Sequence, residues 1–388
     1  MQGDKDKLNQ RMLLSKDKIT FSIAANRVMN HFSIVILILL LSCSKSGDTT
    51  PAPNPPNTNN PNDRVLDIKG ADISFLPEVR QSGLVFSNAS NQPEDMLTTL
   101  KNSGVNVIRL RLWKQPADPN SSFTTVKNLV SEIKGMGMKT LLSVHYSDTW
   151  ADPGNQIKPL QWAAASFTDL KDSVYLYTKK IATEINPDYI QIGNEINAGL
   201  LLPDGAITAS AQMKQLLQKG IDAVREVSPS TKIIIHYAGQ DGAAGFFSLM
   251  AGLDYDIIGI SYYPQWHGKD LDVLKQNMIT ISTAQNKPIL IAETSYPFSF
   301  GFNDFTNNVI GTADQILTQF PATPQGQKDY LNKIKTIAKE VPKCIGFCYW
   351  GAEWVSYKGP TATDGSTWEN QAFWSFQNVS LPVLDCYK

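Results

Sequence analysis

From residue 65 onward, short apolar runs alternate with stretches of helical periodicity, and no other feature constrains the fold as strongly. The runs at 66–73, 105–112, 140–145, 189–193, 232–237, 257–262, 288–292 and 344–349 read as strands. Between them, 126–134 (VKNLVSEIK), 167–185, 209–227 and 328–338 (KDYLNKIKTIA) carry apolar residues at helical spacing. Eight strand–helix units in roughly 320 residues predict an α/β chain folded as a (β/α)8 TIM barrel, one domain spanning 65–388 with lengthened loops after its strands. A doubly wound sheet, the alternative, would want a glycine-rich phosphate loop after its first strand. The nearest match, Gly135-Met136-Gly137, closes a helical stretch and enters a strand, so it reads as a helix stop. Neither a G-x-x-x-x-G-K-[ST] cradle nor a G-x-S-x-G elbow occurs.

The first 64 residues differ in character. Residues 32–41 (FSIVILILLL) form an apolar run half the length that a spanning helix needs, about 20 residues. Such a run suits a secretory signal. It ends in Leu41-Ser42-Cys43, the pattern at which bacterial lipoproteins are cleaved and lipidated on the cysteine. Residues 1–43 therefore read as a lipoprotein leader, with Met29 as an alternative start. Residues 44–64, rich in Pro, Asn and Thr, read as a flexible linker. The expectation is a chain exported across the inner membrane and held through Cys43 at the outer membrane or cell surface. A plain secretory signal is the other reading. Without residues 1–43 the chain holds 29 Lys+Arg against 33 Asp+Glu, a net −4. That lacks the basic field of a nucleic-acid binder. A monomer is expected.

In a barrel of this kind, chemistry sits where strands end and the following loops begin. The fourth run closes on Gly193-Asn194-Glu195 and the seventh on Glu293-Thr294. Strands four and seven face each other across the mouth, so Glu195 and Glu293 form a candidate carboxylate pair, the equipment of glycoside cleavage. One must hold a proton for the leaving oxygen and the other must be ionised, a split that burial and mutual repulsion can produce. The remaining ends are polar or aromatic. Asp72 closes the first run, and Arg109 and Arg111 alternate onto one face of the second. An arginine inside a barrel needs a carboxylate partner, and Glu293 is a candidate. His145, Asp148 and Trp150 follow the third run, Tyr263, Trp266 and His267 the sixth, and Trp350 the eighth. Rings beside acids and amides suit sugar faces and hydroxyls.

These segments together resemble a known family. KGADISF (69–75), NVIRLRLW (106–113), VHYSDTWADPGNQIKP (144–159), IQIGNEINAG (190–199), ISYYPQWHG (260–268) and IAETSYP (291–297) are similar to glycoside hydrolase family 53, the arabinogalactan endo-β-1,4-galactanases of clan A. The resemblance covers 65–388 and implies endo-hydrolysis of β-1,4-galactan in pectic side chains, with retention of configuration and no catalytic cofactor. It implies Glu195 as acid/base and Glu293 as nucleophile. Asn194 would bind the sugar 2-hydroxyl, Tyr263 and an arginine of the second run would steady Glu293, Trp350 would floor the subsite, and His145 and Asp72 would line it. Some members carry a structural calcium at an Asp-x-His-x-Asn loop. Here the stretch is Asp304-Phe-Thr306-Asn-Asn308, with Thr for His. Asp304, Asn308 and Asp364 are its candidate ligands. A mannanase or glucanase of the same clan, and a glycan-binding lipoprotein without catalysis, are the competing readings. No histidine pair has zinc-hydrolase spacing. Pairing among Cys344, Cys348 and Cys386 stays open.

Overall fold

A computed structural model describes residues 63–388; the leader, Cys43 and nearly all of the linker lie outside the described residues. Eight parallel strands close into a barrel: β1 (Ile68–Asp72), β2 (Val107–Leu112), β3 (Lys139–Val144), β4 (Tyr189–Ile192), β5 (Lys232–Ala238), β6 (Ile257–Ser261), β7 (Ile289–Thr294) and β8 (Cys344–Tyr349). Each pairs with the next, and β8 pairs back onto β1. The fold is the (β/α)8 barrel that the alternation predicts. The helices packed between successive strands are α1 (Met96–Asn102), α2 (Phe123–Gly135), α3 (Phe167–Glu184), α4 (Ser210–Val227), α5 (Ala243–Leu249), α6 (Leu271–Ala284) and α7 (Pro324–Glu340), with two short helical turns, Leu76–Gln81 and Pro264–His267, in the loops after β1 and β6. A 3₁₀ turn, Pro382–Tyr387, takes the place of the eighth.

Local chemistry sets these boundaries. Ser122 accepts the Thr125 N–H at the start of α2, Ser166 accepts Asp169 N–H before α3, and Thr323 accepts Gly326 N–H before α7. Each such cap contributes about 1 kcal/mol. In α2, Val126, Leu129, Val130 and Ile133 recur at helical spacing and are buried. The helix ends at Gly135, and Gly137 takes φ +79°, the left-handed turn that the sequence expects there.

The barrel interior divides along its axis. Ile68, Val107, Leu141, Tyr189, Ile234, Ile257 and Leu290 fill the lower part as an apolar plug. Above it, at the strands' C-terminal ends, the inward positions turn polar. This places Val107 inside and therefore Arg109 and Arg111 inside, by the two-residue strand period. Cys344, Cys348 and Cys386 are all buried and free, so the open pairing question closes with no disulfide among them. At the barrel's lower end the Arg64 guanidinium donates to the Val341 carbonyl at 2.5 Å and to the Cys344 carbonyl. Among the described residues no helix is long and apolar enough to cross a membrane.

Candidate active site

Arg109 organises the upper barrel. Its guanidinium donates to Asp72 Oδ2 and Glu293 Oε1 at 2.6 Å each, to Gln191 Oε1 at 2.8 Å, to Asn194 Oδ1 at 2.9 Å and to Ser143 Oγ at 3.2 Å. The side chain is almost wholly buried. Burial opposes its charge, but Glu293 and Asp72 outweigh that and hold the guanidinium above its ordinary range. Arg109 is therefore a fixed cation joining four strands and the loop that carries Asn194.

Strand alternation alone would aim Glu293 the wrong way. Leu290 and Ala292 face the barrel interior, whereas Ile289 and Ile291 face the helices. The β6–β7 register shifts between Ile260 and Ser261, where Ile260 pairs with Ile291 but Ser261 pairs with Glu293. This bulge turns Glu293 inward beside Ala292. Its Oε2 then accepts the Tyr263 hydroxyl at 2.9 Å.

Glu195 lies beyond β4 in a left-handed backbone conformation, φ +46°, after Gly193 at φ +86°. A non-glycine residue there costs about 1 kcal/mol or more. Its Oε1 accepts the Ser261 hydroxyl at 2.5 Å. A carboxylate oxygen of Glu195, one of Glu293 and a ring nitrogen of His236 all lie within 4.8 Å of one another. Burial and the Glu293 charge push the Glu195 carboxyl up to about 8, against the Ser261 hydrogen bond. Burial also lifts Glu293, but Arg109 and Tyr263 oppose it there. The pair is thus electrically unequal: a guanidinium and a phenol address Glu293, and a lone hydroxyl addresses Glu195.

The sequence profile described as glycosyl hydrolase family 53 matches residues 68–387. The chain belongs to glycosyl hydrolase family 53. This family 53 hydrolase is 32% identical over 340 residues to an arabinogalactan endo-β-1,4-galactanase of Cellvibrio japonicus, covering 82% of this chain and 90% of the relative. It is 31% identical over 372 residues to an endo-β-1,4-galactanase of Bacillus subtilis, covering 83% and 85%. Among solved structures, the GH53 catalytic domain of Ignisphaera aggregans is similar at a TM-score of 0.79 and 35% identity, covering 83% of this chain and 95% of that one.

The other expected residues of the family 53 hydrolase fall into three groups. Asp72, Arg109 and Asn194 join the Glu293 network directly, and Tyr263 caps it. A second group lines the mouth. Arg111 does not reach Glu293; its guanidinium lies 4.1 Å from the Trp150 ring centre and 4.5 Å from those of Phe75 and Trp113. Burial lowers it to about 10. The His145 Nδ1 accepts Trp113 Nε1–H and Ala151 N–H, and burial and Arg111 keep the ring neutral. Trp350 stands edge-on to Trp368 at 4.7 Å, and Trp266, the most exposed of these rings, stacks on Trp368 at 6.3 Å. His267 turns its Nδ1 onto the Tyr263 N–H. Asp148 differs from the rest: its two oxygens accept Gln115 N–H and Leu160 N–H, so it ties loops together.

The expected calcium ligands form the third group, and the structure divides them. Asp304 is buried, with Oδ1 on Thr306 N–H and Oδ2 on the Ser356 hydroxyl. Asn308 donates to the Gly301 carbonyl and leaves its Oδ1 buried without a hydrogen-bond partner. Asp364 sits on the surface against Lys358 at 2.9 Å. Asp304 and Asp364 thus each hold a protein partner, while the Asn308 Oδ1 has none. Thr306, which stands in place of the histidine, instead joins the two loops itself. Its Oγ1 accepts Gly365 N–H at 2.8 Å and donates to the Ala362 carbonyl at 3.3 Å.

Several site residues escaped the reading of strand ends. Gln191, Ser143 and His236 sit one or two positions inside their strands, and Phe75 and Trp368 come from connecting segments. A signal was present for the first three. A polar residue set within an otherwise apolar run, in phase with its inward positions, as His236 in IIIHYA or Gln191 in YIQIG, marks an inward polar layer.

Proposed function

We propose that this family 53 hydrolase cleaves internal β-1,4-galactosidic bonds of pectic galactan by retaining double displacement. One observation carries the mechanism: carboxylate oxygens of Glu195 and Glu293 approach within 4.8 Å. Retaining enzymes hold their carboxyls about 5–5.5 Å apart, and inverting ones about 6.5–9.5 Å to admit a water. The substrate rests on the galactanase relatives.

In this reading Glu293, kept ionised by Arg109 and Tyr263, attacks the anomeric carbon. Glu195 gives its proton to the departing glycosidic oxygen, then takes one from the water that opens the glycosyl–Glu293 ester. Asn194, oriented by Arg109 and by donation to the Ala151 carbonyl, meets the sugar 2-hydroxyl. The rings of Trp150, Trp350, Trp368 and Trp266 support the chain's apolar faces. No step passes through a metal, and a structural calcium is not part of the proposal. The chain acts as a monomer, exported and anchored through Cys43 with residues 44–64 as tether, a placement resting on the sequence alone.

Linear β-1,4-galactan incubated with the protein should give a falling size distribution of oligosaccharides. Proton NMR during the reaction should show β-anomers first. Initial α-anomers would overturn the retaining mechanism, and cleavage of mannan or β-glucan but not galactan would overturn the substrate.

A further inference from the structure

His236 and Ser261 lie directly beneath Glu195, and neither has a role in the mechanism above. Both are fully buried, on β5 and β6. Four contacts link the two to each other, to Glu195 and to its neighbour Ile196. The His236 carbonyl accepts Ile196 N–H at 3.0 Å, its Nδ1 accepts Glu195 N–H at 3.3 Å, and its Nε2 lies 3.0 Å from Ser261 Oγ. Ser261 Oγ in turn donates to Glu195 Oε1 at 2.5 Å. The circuit leaves Glu195 through its backbone and returns to its carboxylate.

The proton positions follow from the partners. Asn194 Oδ1 is 3.2 Å from His236 Nδ1 and could accept a proton from it. That oxygen already receives Arg109 Nη2–H and the Ser143 hydroxyl, which occupy its two lone pairs. The Glu195 N–H therefore claims Nδ1, and the ring proton resides on Nε2. Burial and Arg109 keep the ring neutral, so a single proton is available to place. Nε2–H donates to Ser261 Oγ, and the serine proton must then point at Glu195 Oε1. With Oε1 engaged as acceptor, the transferable proton of Glu195 belongs on Oε2.

We propose that His236 and Ser261 are positioning residues that hold the left-handed backbone of Glu195 in place and direct its catalytic proton to Oε2. The proposal rests on the acid/base reading of Glu195. The histidine splints a conformation that costs energy by itself, while the serine fixes the carboxylate's rotation. Glu293 from β7, Arg109 from β2, Asp152 from the loop after β3 and Tyr263 after β6 also act electrostatically on Glu195, and His267 acts on His236. None of these is altered in the test.

The test compares Ser261→Ala, His236→Asn and Glu195→Ala with the parent on aryl β-1,4-galactobiosides carrying phenol or 2,4-dinitrophenol. His236→Asn can still accept the Glu195 N–H but cannot reach Ser261. Ser261→Ala removes a donor to the carboxylate, so the alkaline limb of kcat/KM should move up by about one pH unit. Its kcat/KM should fall about tenfold with phenol, which needs the proton, and less than threefold with dinitrophenol, which does not. His236→Asn should move the limb in the same direction. If it fails to fold, Ser261→Ala, a small change in a packed strand, decides alone. An unmoved limb, or equal loss with both leaving groups, overturns the proposal. Glu195→Ala separates the two levels: if it lacks the leaving-group dependence, the acid/base reading itself has failed.

Discussion

Replacing Arg109 with methionine tests the charge balance on which the site depends. The parent buries one cation against two carboxylates, Asp72 and Glu293, at 2.6 Å each. Methionine has similar length and leaves the two acids buried with no counter-charge. Removing one partner of a buried pair costs about 3–5 kcal/mol, because an uncompensated charge remains. For a body of this size each kcal/mol is roughly 2 °C in Tm, so a fall of about 5–10 °C is expected at pH 7.5. The sign of the pH dependence follows from Glu293. Arg109 is the main force opposing the upward push of burial on its carboxyl. Without it the folded-state pKa rises further above the unfolded value. A carboxyl raised in this way keeps its full stability below the unfolded pKa and loses it as pH rises through the folded one. The deficit of the variant should therefore be large at pH 7.5 and shrink toward pH 4.5, where Glu293 takes up a proton. Differential scanning calorimetry of parent and Arg109→Met at both pH values measures this. A deficit equal at the two pH values would refute the argument and leave Arg109 as packing. Arg109→Lys should recover part of the stability, since one ammonium cannot serve five acceptors.

Other outcomes follow from single contacts. With Glu195 at about 8, kcat/KM on galactan should decline as pH passes that value; a flat profile to pH 10 would contradict the assignment. Glu293→Ala should lose nearly all turnover and regain some with azide, as a glycosyl azide of inverted configuration; Glu195→Ala should be rescued with retained configuration. Reversed stereochemistry would exchange the two roles. Chelation should leave the Tm unchanged, because the Thr306 hydrogen bonds already bridge the two loops, whereas Thr306→Val should lower stability by about 1–2 kcal/mol; a clear Tm drop in EDTA would contradict this. Glu353 is fully buried, accepts Phe75 N–H at 2.5 Å through Oε1 and is held well above the ordinary carboxyl range by burial, then by Asp72. It costs stability as pH rises from its unfolded value, about 4.3. Glu353→Gln should be near neutral at pH 5 and gain on the parent at pH 9, as urea titrations at the two pH values would show.

The strand–helix alternation made the barrel legible, because apolar runs between amphipathic helices leave few other ways to bury both faces of a sheet. Asn194 and Glu195 were legible as polar residues ending an apolar run, and Asp72 and Arg109 by the same logic. α1, α5 and α6 were not singled out. Two of them span only seven residues each, too short for a strong periodic signal. Asp148, read as a sugar contact, has both its oxygens on backbone N–H groups of two loops. A lone acid in a polar segment looks alike in both roles until its neighbours are known.

Local sequence thus determined which residues form strands, where helices stop and which strand ends carry charge, since those outcomes depend on neighbours within a turn or two. The tertiary structure alone decided orientation and partnership. A register shift against β6 turned Glu293 inward, and the arginine two positions from Arg111 reached it while Arg111 went to three rings. His236 and Ser261 came to lie beneath Glu195. These are contacts between residues dozens of positions apart, and closure of the barrel sets them through strand pairing that no local segment encodes.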